Sequence, residues 1–248
     1  MDTRQEAVQR ALAYPFAIPT SSFLLERGNV RIPPGVEPDQ PQMKGRTPLL
    51  AYGSNAAPKV LARKLGETTH DAPVLGLRAT LVDFDVVYSA HISRYGSIPA
   101  NLRRSQGTKL TAFVLYLNVE QLDLVTATEP NYEPGALSEI ECVLANGESL
   151  HEISAYLSRH GCLAIEGSEV ALSEVEARAR MLPAMRQSEI QEHLRATLAP
   201  EQTLEQFVAG NARDPDLAQQ RTKTLQKATR VSRQRAANLC RAKRANSA

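Results

Sequence analysis

The chain has 248 residues, 42% hydrophobic and 23% charged, with 29 basic and 27 acidic side chains, the composition of a globular chain of about one large domain with a core to bury. No apolar run approaches the roughly 20 residues that cross a bilayer, the N-terminal residues lack a signal-peptide pattern, and three scattered cysteines, Cys142, Cys162 and Cys240, make neither a disulfide framework nor a Cys-x-x-Cys module. A membrane protein, a secreted disulfide knot and a zinc-cysteine module are set aside, and a reduced, cytoplasmic protein is expected.

The net charge of +2 hides an asymmetry. Residues 211–248 hold ten basic side chains against Asp214 and Asp216, a net of +8 that leaves −6 for residues 1–210. Such a tail reads as a solvated helical appendage, as a segment that contacts the acidic body, or as a contact for nucleic-acid phosphate. The lack of any aromatic residue after Phe207 removes base stacking and argues against a nucleic-acid partner.

Residues 15–48 are rich in proline (Pro15, Pro19, Pro33, Pro34, Pro38, Pro41, Pro48), which donates no backbone N–H and breaks helices. An irregular arm is expected there. Order begins near Thr47: Pro48 to Tyr52 is a short apolar strand stopped by the turn triplet Gly53-Ser54-Asn55, and Pro58 opens a helix over 59–65. Leu75 to Tyr88 alternates Leu75, Leu77, Ala79 and Leu81 along one strand face. Lys109 to Leu117 is apolar on both faces, as a doubly buried strand requires. Glu120 to Ala127 reads as a short helix. Strands 137–144 and 150–157 are joined across Asn146-Gly147, the signature of a type I′ hairpin turn. Beyond 171 the pattern turns helical: Ser173-x-x-Glu176 resembles a capping box, with Pro183 breaking the helix it opens. Ile190, Leu194 and Leu198 form a stripe ended by Pro200, and Leu204, Phe207 and Val208 form another stopped by Gly210. The last ten residues are expected to fray. The sum is α+β, with a central mixed sheet.

Several familiar sites are absent: Gly-x-Ser-x-Gly, Gly-x-x-x-x-Gly-Lys-Ser/Thr and Gly-x-Gly-x-x-Gly do not occur, and the five histidines show no paired metal spacing. Two passages can carry chemistry. In the strand-turn-helix passage 51–61, Gly53 lets a ligand approach the backbone, and the amides of Ser54, Asn55, Ala56 and Ala57 precede a helix N-terminus where a carboxylate would fit; an ordinary turn and helix cap is the alternative. In the passage 121–133, Glu129 follows an apolar helix and precedes Pro130, so its carboxylate is held at the edge of the core and can serve as a base. Glu133 is its rival, and each could equally be a surface acid.

Together the two passages resemble the gamma-glutamylcyclotransferase-like proteins. The hallmark is an apolar strand ending in Tyr-Gly-Ser-Asn, here Tyr52 to Asn55; Leu115-Tyr116, Leu122-Asp123, Glu129 and Tyr156-Leu157 follow in the family's order. The likeness spans about Leu49 to Leu163. Glu129-Pro130 stands where the family often has Glu-Gly, Ala112 replaces a strand glycine, and Tyr132 lies a few residues before an expected tyrosine position taken by Ala136.

The resemblance implies a partly closed mixed β-sheet or barrel with flanking helices. The layout is then an arm over 1–46, a catalytic domain over 47–171, and an added helical region with the basic tail over 172–248. It implies cyclisation of a gamma-glutamyl group to 5-oxoproline with release of an amine, Glu129 acting as general acid/base. Tyr52, Gly53, Ser54, Asn55, Ala56, Ala57, Tyr132 and Tyr156 would bind the small-molecule substrate, and no metal or cofactor is called for. A non-catalytic module that binds an acidic metabolite, and an interaction protein acting through the tail, are the alternatives.

Overall fold

The computed structural model describes residues 3–32 and 42–228. Its elements in chain order begin with helix α1 (Arg4–Leu12) and the small hairpin β1 (Phe23–Glu26) and β2 (Asn29–Arg31). Strand β3 (Thr47–Ala51) leads through a 3-10 turn (Ser54–Ala56) into α2 (Pro58–Leu65) and α3 (Thr68–Asp71). The long strands β4 (Val74–Tyr88) and β5 (Ala100–Leu117) follow, then α4 (Val119–Ala127), β6 (Tyr132–Leu144) and β7 (Ser149–Ser158). Five two-residue strands come next: β8 (Ala164–Ile165), β9 (Ser168–Glu169), β10 (Ala171–Leu172), β11 (Ala177–Arg178) and β12 (Ala184–Met185). Helices α5 (Gln187–Leu198), α6 (Leu204–Arg213) and α7 (Pro215–Ala228) complete the described chain. None of the described helices is long and apolar enough to cross a membrane.

Five strands close on themselves. β5 pairs antiparallel with β3, β3 parallel with β7, β7 antiparallel with β6, β6 antiparallel with β4, and β4 antiparallel with β5 again. The period-2 alternation of β4 fills this barrel, since Leu75, Leu77, Ala79 and Leu81 lie in one buried cluster with Leu50, Leu110, Ala112 and Val114. The alternate residues of β5, Phe113, Leu115 and Leu117, belong to a second cluster outside the barrel with Phe23, Leu61, Leu65 and Val125. A strand covered on both sides must be apolar on both, which is why 109–117 lacks polar alternation. Phe23 lies against Gly76, where a Cβ would meet its ring at 2.4 Å.

The structure corrects several expectations. Residues 15–48 are not irregular throughout: β1 pairs with β4 in the register Phe23↔Gly76, while Pro33, Pro34, Pro38 and Pro41 lie outside the described residues. The 146–147 hairpin forms, but not through a type I′ turn. Gly147 alone has positive φ, at 88°, and donates to the Leu144 carbonyl at 3.0 Å in a three-residue loop. Two-residue turns with both φ values positive occur instead at Glu166-Gly167, between β8 and β9, and at Arg27-Gly28, at 50° and 72°, the latter pinned by Thr69, whose carbonyl and hydroxyl accept from its two amides.

No helix forms over 173–183. The Ser173 amide donates to Met185 O, the Glu176 carbonyl accepts from the Thr111 amide, and the Glu176 carboxylate pairs with Arg78 at 2.9 Å. Arg180 adds a paired contact to Asp85, which is fully buried. These long-range partners claim the groups a helix would have used. Gly210 does not stop α6, which runs to Arg213 because Phe207, Val208 and Asn211 are buried by it. Pro215 ends it and opens α7, capped by Asp214, whose Oδ1 accepts from the amides of Asp216 and Leu217.

The described part of the basic tail packs on the body along one face and leaves Arg213, Lys223 and Lys227 exposed on the other. Ala218 and Leu225 of α7 enter the core, Thr222 accepts from the Ile92 amide, and Arg221 lies over the Phe207 ring at 4.2 Å with Asn211 and Gln202 as partners. The last ten residues lie outside the described residues.

Candidate active site

The site forms where β3 leaves the barrel. Gly53 to Asn55 turn the chain into α2, whose residues divide by helical spacing: Leu61 and Leu65 face the outer cluster, and Val60, Arg63 and Lys64 face a cleft. The other half comes from the end of α4. There Pro130 takes the second place of a tight turn in which the Tyr132 amide donates to Glu129 O at 3.0 Å. Proline pre-sets that corner, so Glu129-Pro130 fixes the carboxylate's backbone rather than loosening it.

Across 74 positions of sequence the two passages meet. Asn55 Nδ2 donates to Glu129 Oε1 at 3.0 Å, and Lys64 Nζ donates to the same oxygen at 2.6 Å and to Asn55 Oδ1 at 2.8 Å. The Glu129 and Lys64 side chains are only 13% and 15% exposed. Both bonds fall on Oε1; among the described residues Oε2 makes none. Glu129, with Tyr14, Ser54 and Tyr132, lines two spaces. A cleft of about 780 Å³ opens on one side, and a cavity of about 40 Å³ lies on the other.

The small cavity gathers most of the expected residues: Tyr52, Gly53, Ser54, Asn55, Tyr132, Tyr156 and Glu129 all line it. Ala56 and Ala57 do not. They are buried, and their amides already donate to Gly53 O and Ser54 O within the 3-10 turn, which leaves an incoming carboxylate only the amides nearer Gly53. Tyr52 donates to the Tyr156 carbonyl, the Tyr156 hydroxyl bonds Thr126 Oγ1 at 2.5 Å, and Tyr132 donates to Ala100 O at 2.7 Å. Glu133 is exposed and lines neither space.

Three contributors had no signal in the sequence. Tyr14 reaches in after α1, accepts from the Ala100 amide at 2.8 Å and covers Gly53. Lys64 sits on α2 among ordinary helix-surface residues. Tyr95 comes from the β4–β5 connection. Burial holds the hydroxyls of Tyr14, Tyr52, Tyr95 and Tyr132 above the usual tyrosine range, with the Glu129 charge adding to it. These phenols stay protonated and serve as hydrogen-bonding walls. His91, also in the cleft wall, accepts or donates at Nδ1 to Ser89 Oγ at 2.7 Å and stacks near His160. Burial, then His160, pushes it well below the usual histidine value.

Glu129 is thus the one carboxylate lining either space among the described residues. No group of three His, Cys, Asp or Glu side chains gathers there in a metal-binding arrangement. Burial pushes the thiols of Cys142 and Cys162 up to about 12, which leaves neither as a nucleophile at neutral pH.

No family model matches the sequence, and no curated protein is significantly similar to it. Several solved structures are similar in part. An Arabidopsis thaliana protein known from a solution structure matches 48% of this chain and 74% of its own, at 20% identity and a TM-score of 0.37. A gamma-glutamyl cyclotransferase matches 45% of this chain and 66% of its own, at 18% identity and a TM-score of 0.33. A Homo sapiens protein matches 73% and 89%, at 14% identity and a TM-score of 0.34. These are partial likenesses of fold.

Proposed function

We propose that the chain is a gamma-glutamylcyclotransferase-like enzyme that converts a gamma-glutamyl amine to 5-oxoproline and the free amine. The observation that carries the reading is the contact between Asn55 and Glu129 at 3.0 Å. It joins the two sequence passages on which the resemblance rests, and its Glu129 also lines a cleft with room for a substrate. The 40 Å³ cavity holds no more than a few water-sized spheres, so the gamma-glutamyl group lies on the larger side of Glu129.

In this reading the substrate α-carboxylate is met from the 53–57 turn by Ser54, which lines the cleft as well as the small cavity. Glu129 takes a proton from the α-ammonium, and the amine nitrogen attacks the side-chain carbonyl of the same molecule. The tetrahedral centre collapses, the C–N bond to the leaving amine breaks, and Glu129 returns the proton to that nitrogen; the second proton of the attacking nitrogen follows, so the ring keeps one N–H and the amine departs as an ammonium. The nucleophile is already tethered, and well-oriented intramolecular attack is worth roughly 7–11 kcal/mol. Lys64 positions the carboxylate by bridging Oε1 to Asn55, and Oε2 is left to exchange the proton.

Glu129→Gln tests this. The amide matches the carboxylate in size but accepts no proton, so turnover falls by about 10²–10⁴ while calorimetric binding of a gamma-glutamyl ligand stays within a few-fold. Unchanged turnover removes Glu129 from the chemistry. Ligand binding by the wild-type protein with no turnover of any gamma-glutamyl compound favours a binding module.

A further inference from the structure

Four guanidinium-bearing side chains line the large cleft from four separate elements: Arg10 of α1, Arg63 of α2, Arg94 of the β4–β5 connection and Arg213 at the end of α6. The one acid in the lining is Glu129, and Lys64 already takes up its charge. None of the four makes an ion pair among the described residues. Arg10 lies instead over the Tyr95 ring, 5.0 Å from its centroid. Like charges gathered around one concavity oppose folding and raise the local concentration of anions. Guanidinium groups match carboxylate and phosphate oxygens in pairs.

The wall is also built to stay in place. Two glutamines of α5, Gln187 and Gln191, are fully buried and hold the connection that carries Arg94 and Tyr95. Gln187 Nε2 donates to Ile98 O at 2.9 Å and Gln191 Nε2 to Gly96 O at 2.7 Å. Gly96 is pressed onto α6, where a Cβ would stand 2.9 Å from Val208 O. Gln187, whose Oε1 also accepts from the Ile98 amide, is bonded at both ends, and Gln191 through Nε2 alone; such buried contacts fix a loop's position. Arg10 and Arg213 come from segments outside the span of the family resemblance, so half of this charge belongs to the added parts of the chain.

We infer that the leaving amine carries negative charge, as two or more carboxylates or a phosphate ester, and that Arg10, Arg63, Arg94 and Arg213 bind it. The inference rests on the proposed cyclotransferase reading for the position of the gamma-glutamyl end at Glu129. The rest of the cleft then receives the amine, and its lining suits an anion.

The test is a series of gamma-glutamyl compounds whose leaving amine is neutral (alaninamide), singly charged (alanine), dicarboxylate (aspartate) or phosphorylated (O-phosphoethanolamine). Release of 5-oxoproline and direct calorimetric binding are both read. The expected result is kcat/KM at least tenfold higher for a dianionic than for the neutral amine, with the carboxylate and phosphate arms naming the source. In the folded double variant Arg10→Gln/Arg213→Gln that ratio falls below about threefold, and Arg10→Lys/Arg213→Lys restores part of it. Equal turnover across the series, or a ratio unchanged in the double variant, overturns the inference and leaves the cyclotransferase reading standing. No turnover of any compound, with binding of the dianionic members that the double variant loses, overturns the cyclotransferase reading and supports the anion site. Neither turnover nor binding overturns both.

Discussion

A methyl group on Gly53 would stand 2.8 Å from the Tyr14 hydroxyl and 3.2 Å from Ala100 Cβ, although the backbone φ of −127° is one that L residues adopt. Space is enough by itself to demand glycine here. Gly53→Ala should cost about 1–3 kcal/mol, the usual range for overpacking, and the cost should shrink in a Tyr14→Phe background, where the nearest atom is gone. A double-mutant cycle by denaturant unfolding that shows no coupling would mean Tyr14 does not press on the turn. His91 offers a second test at this scale. It is 2% exposed, touched by Ser89, His160 and Tyr132, and its folded value lies well below 6.5. The unfolded chain therefore takes up the proton first: the contribution is intact above pH 6.5 and is lost as pH falls below it, by at most about 1.4 kcal/mol per pH unit. His91→Gln should flatten the acid side of a Tm-against-pH curve by that amount; an unchanged slope would mean His91 is not the group responsible.

At the scale of elements, what the sequence makes legible is what repeats locally. Leu75, Leu77, Ala79 and Leu81 announce β4, the two-sided apolarity of 109–117 announces a covered strand, and Ile190, Leu194 and Leu198 announce α5. Segments governed by distant partners stay hidden. Ser173-x-x-Glu176 has the letters of a capping box, but its groups go to Met185, Thr111 and Arg78. The β1–β2 hairpin is concealed because Arg27-Gly28 owes its turn to Thr69, about 40 positions away. The same holds in the site: Tyr52 to Asn55 and Glu129 are readable as motifs, whereas Lys64 comes round on α2 and Tyr14 reaches in from the N-terminal segment without any motif to mark them. The pair of Arg180 with Asp85 gives this long-range control a measurable size. Asp85→Ala leaves the Arg180 charge with only Val175 O beside it, and should destabilise by about 3–5 kcal/mol. Asp85→Leu combined with Arg180→Met should recover much of that loss, and a double variant no better than the single would show that the pair does not carry the packing of 173–185.

For the molecule as a whole, the segments outside the family resemblance are part of the site rather than additions to it. α1 contributes Arg10 and the turn after it Tyr14, α5 holds the β4–β5 connection through two buried glutamines, and α6 ends in Arg213. The charge asymmetry acquires a partial physical reason, because two of the tail's cations are accounted for: Arg213 lines the cleft and Arg221 stacks on Phe207. The barrel supplies a turn and a carboxylate, and the surrounding helices decide what can approach them. The most direct test of this account is the release of 5-oxoproline from gamma-glutamyl amines by the wild-type protein and by Glu129→Gln, measured side by side on folded samples. The wild type is expected to release 5-oxoproline, with at least a hundredfold loss in the variant. Equal release by both, or none by the wild type from any member of the series, would contradict it.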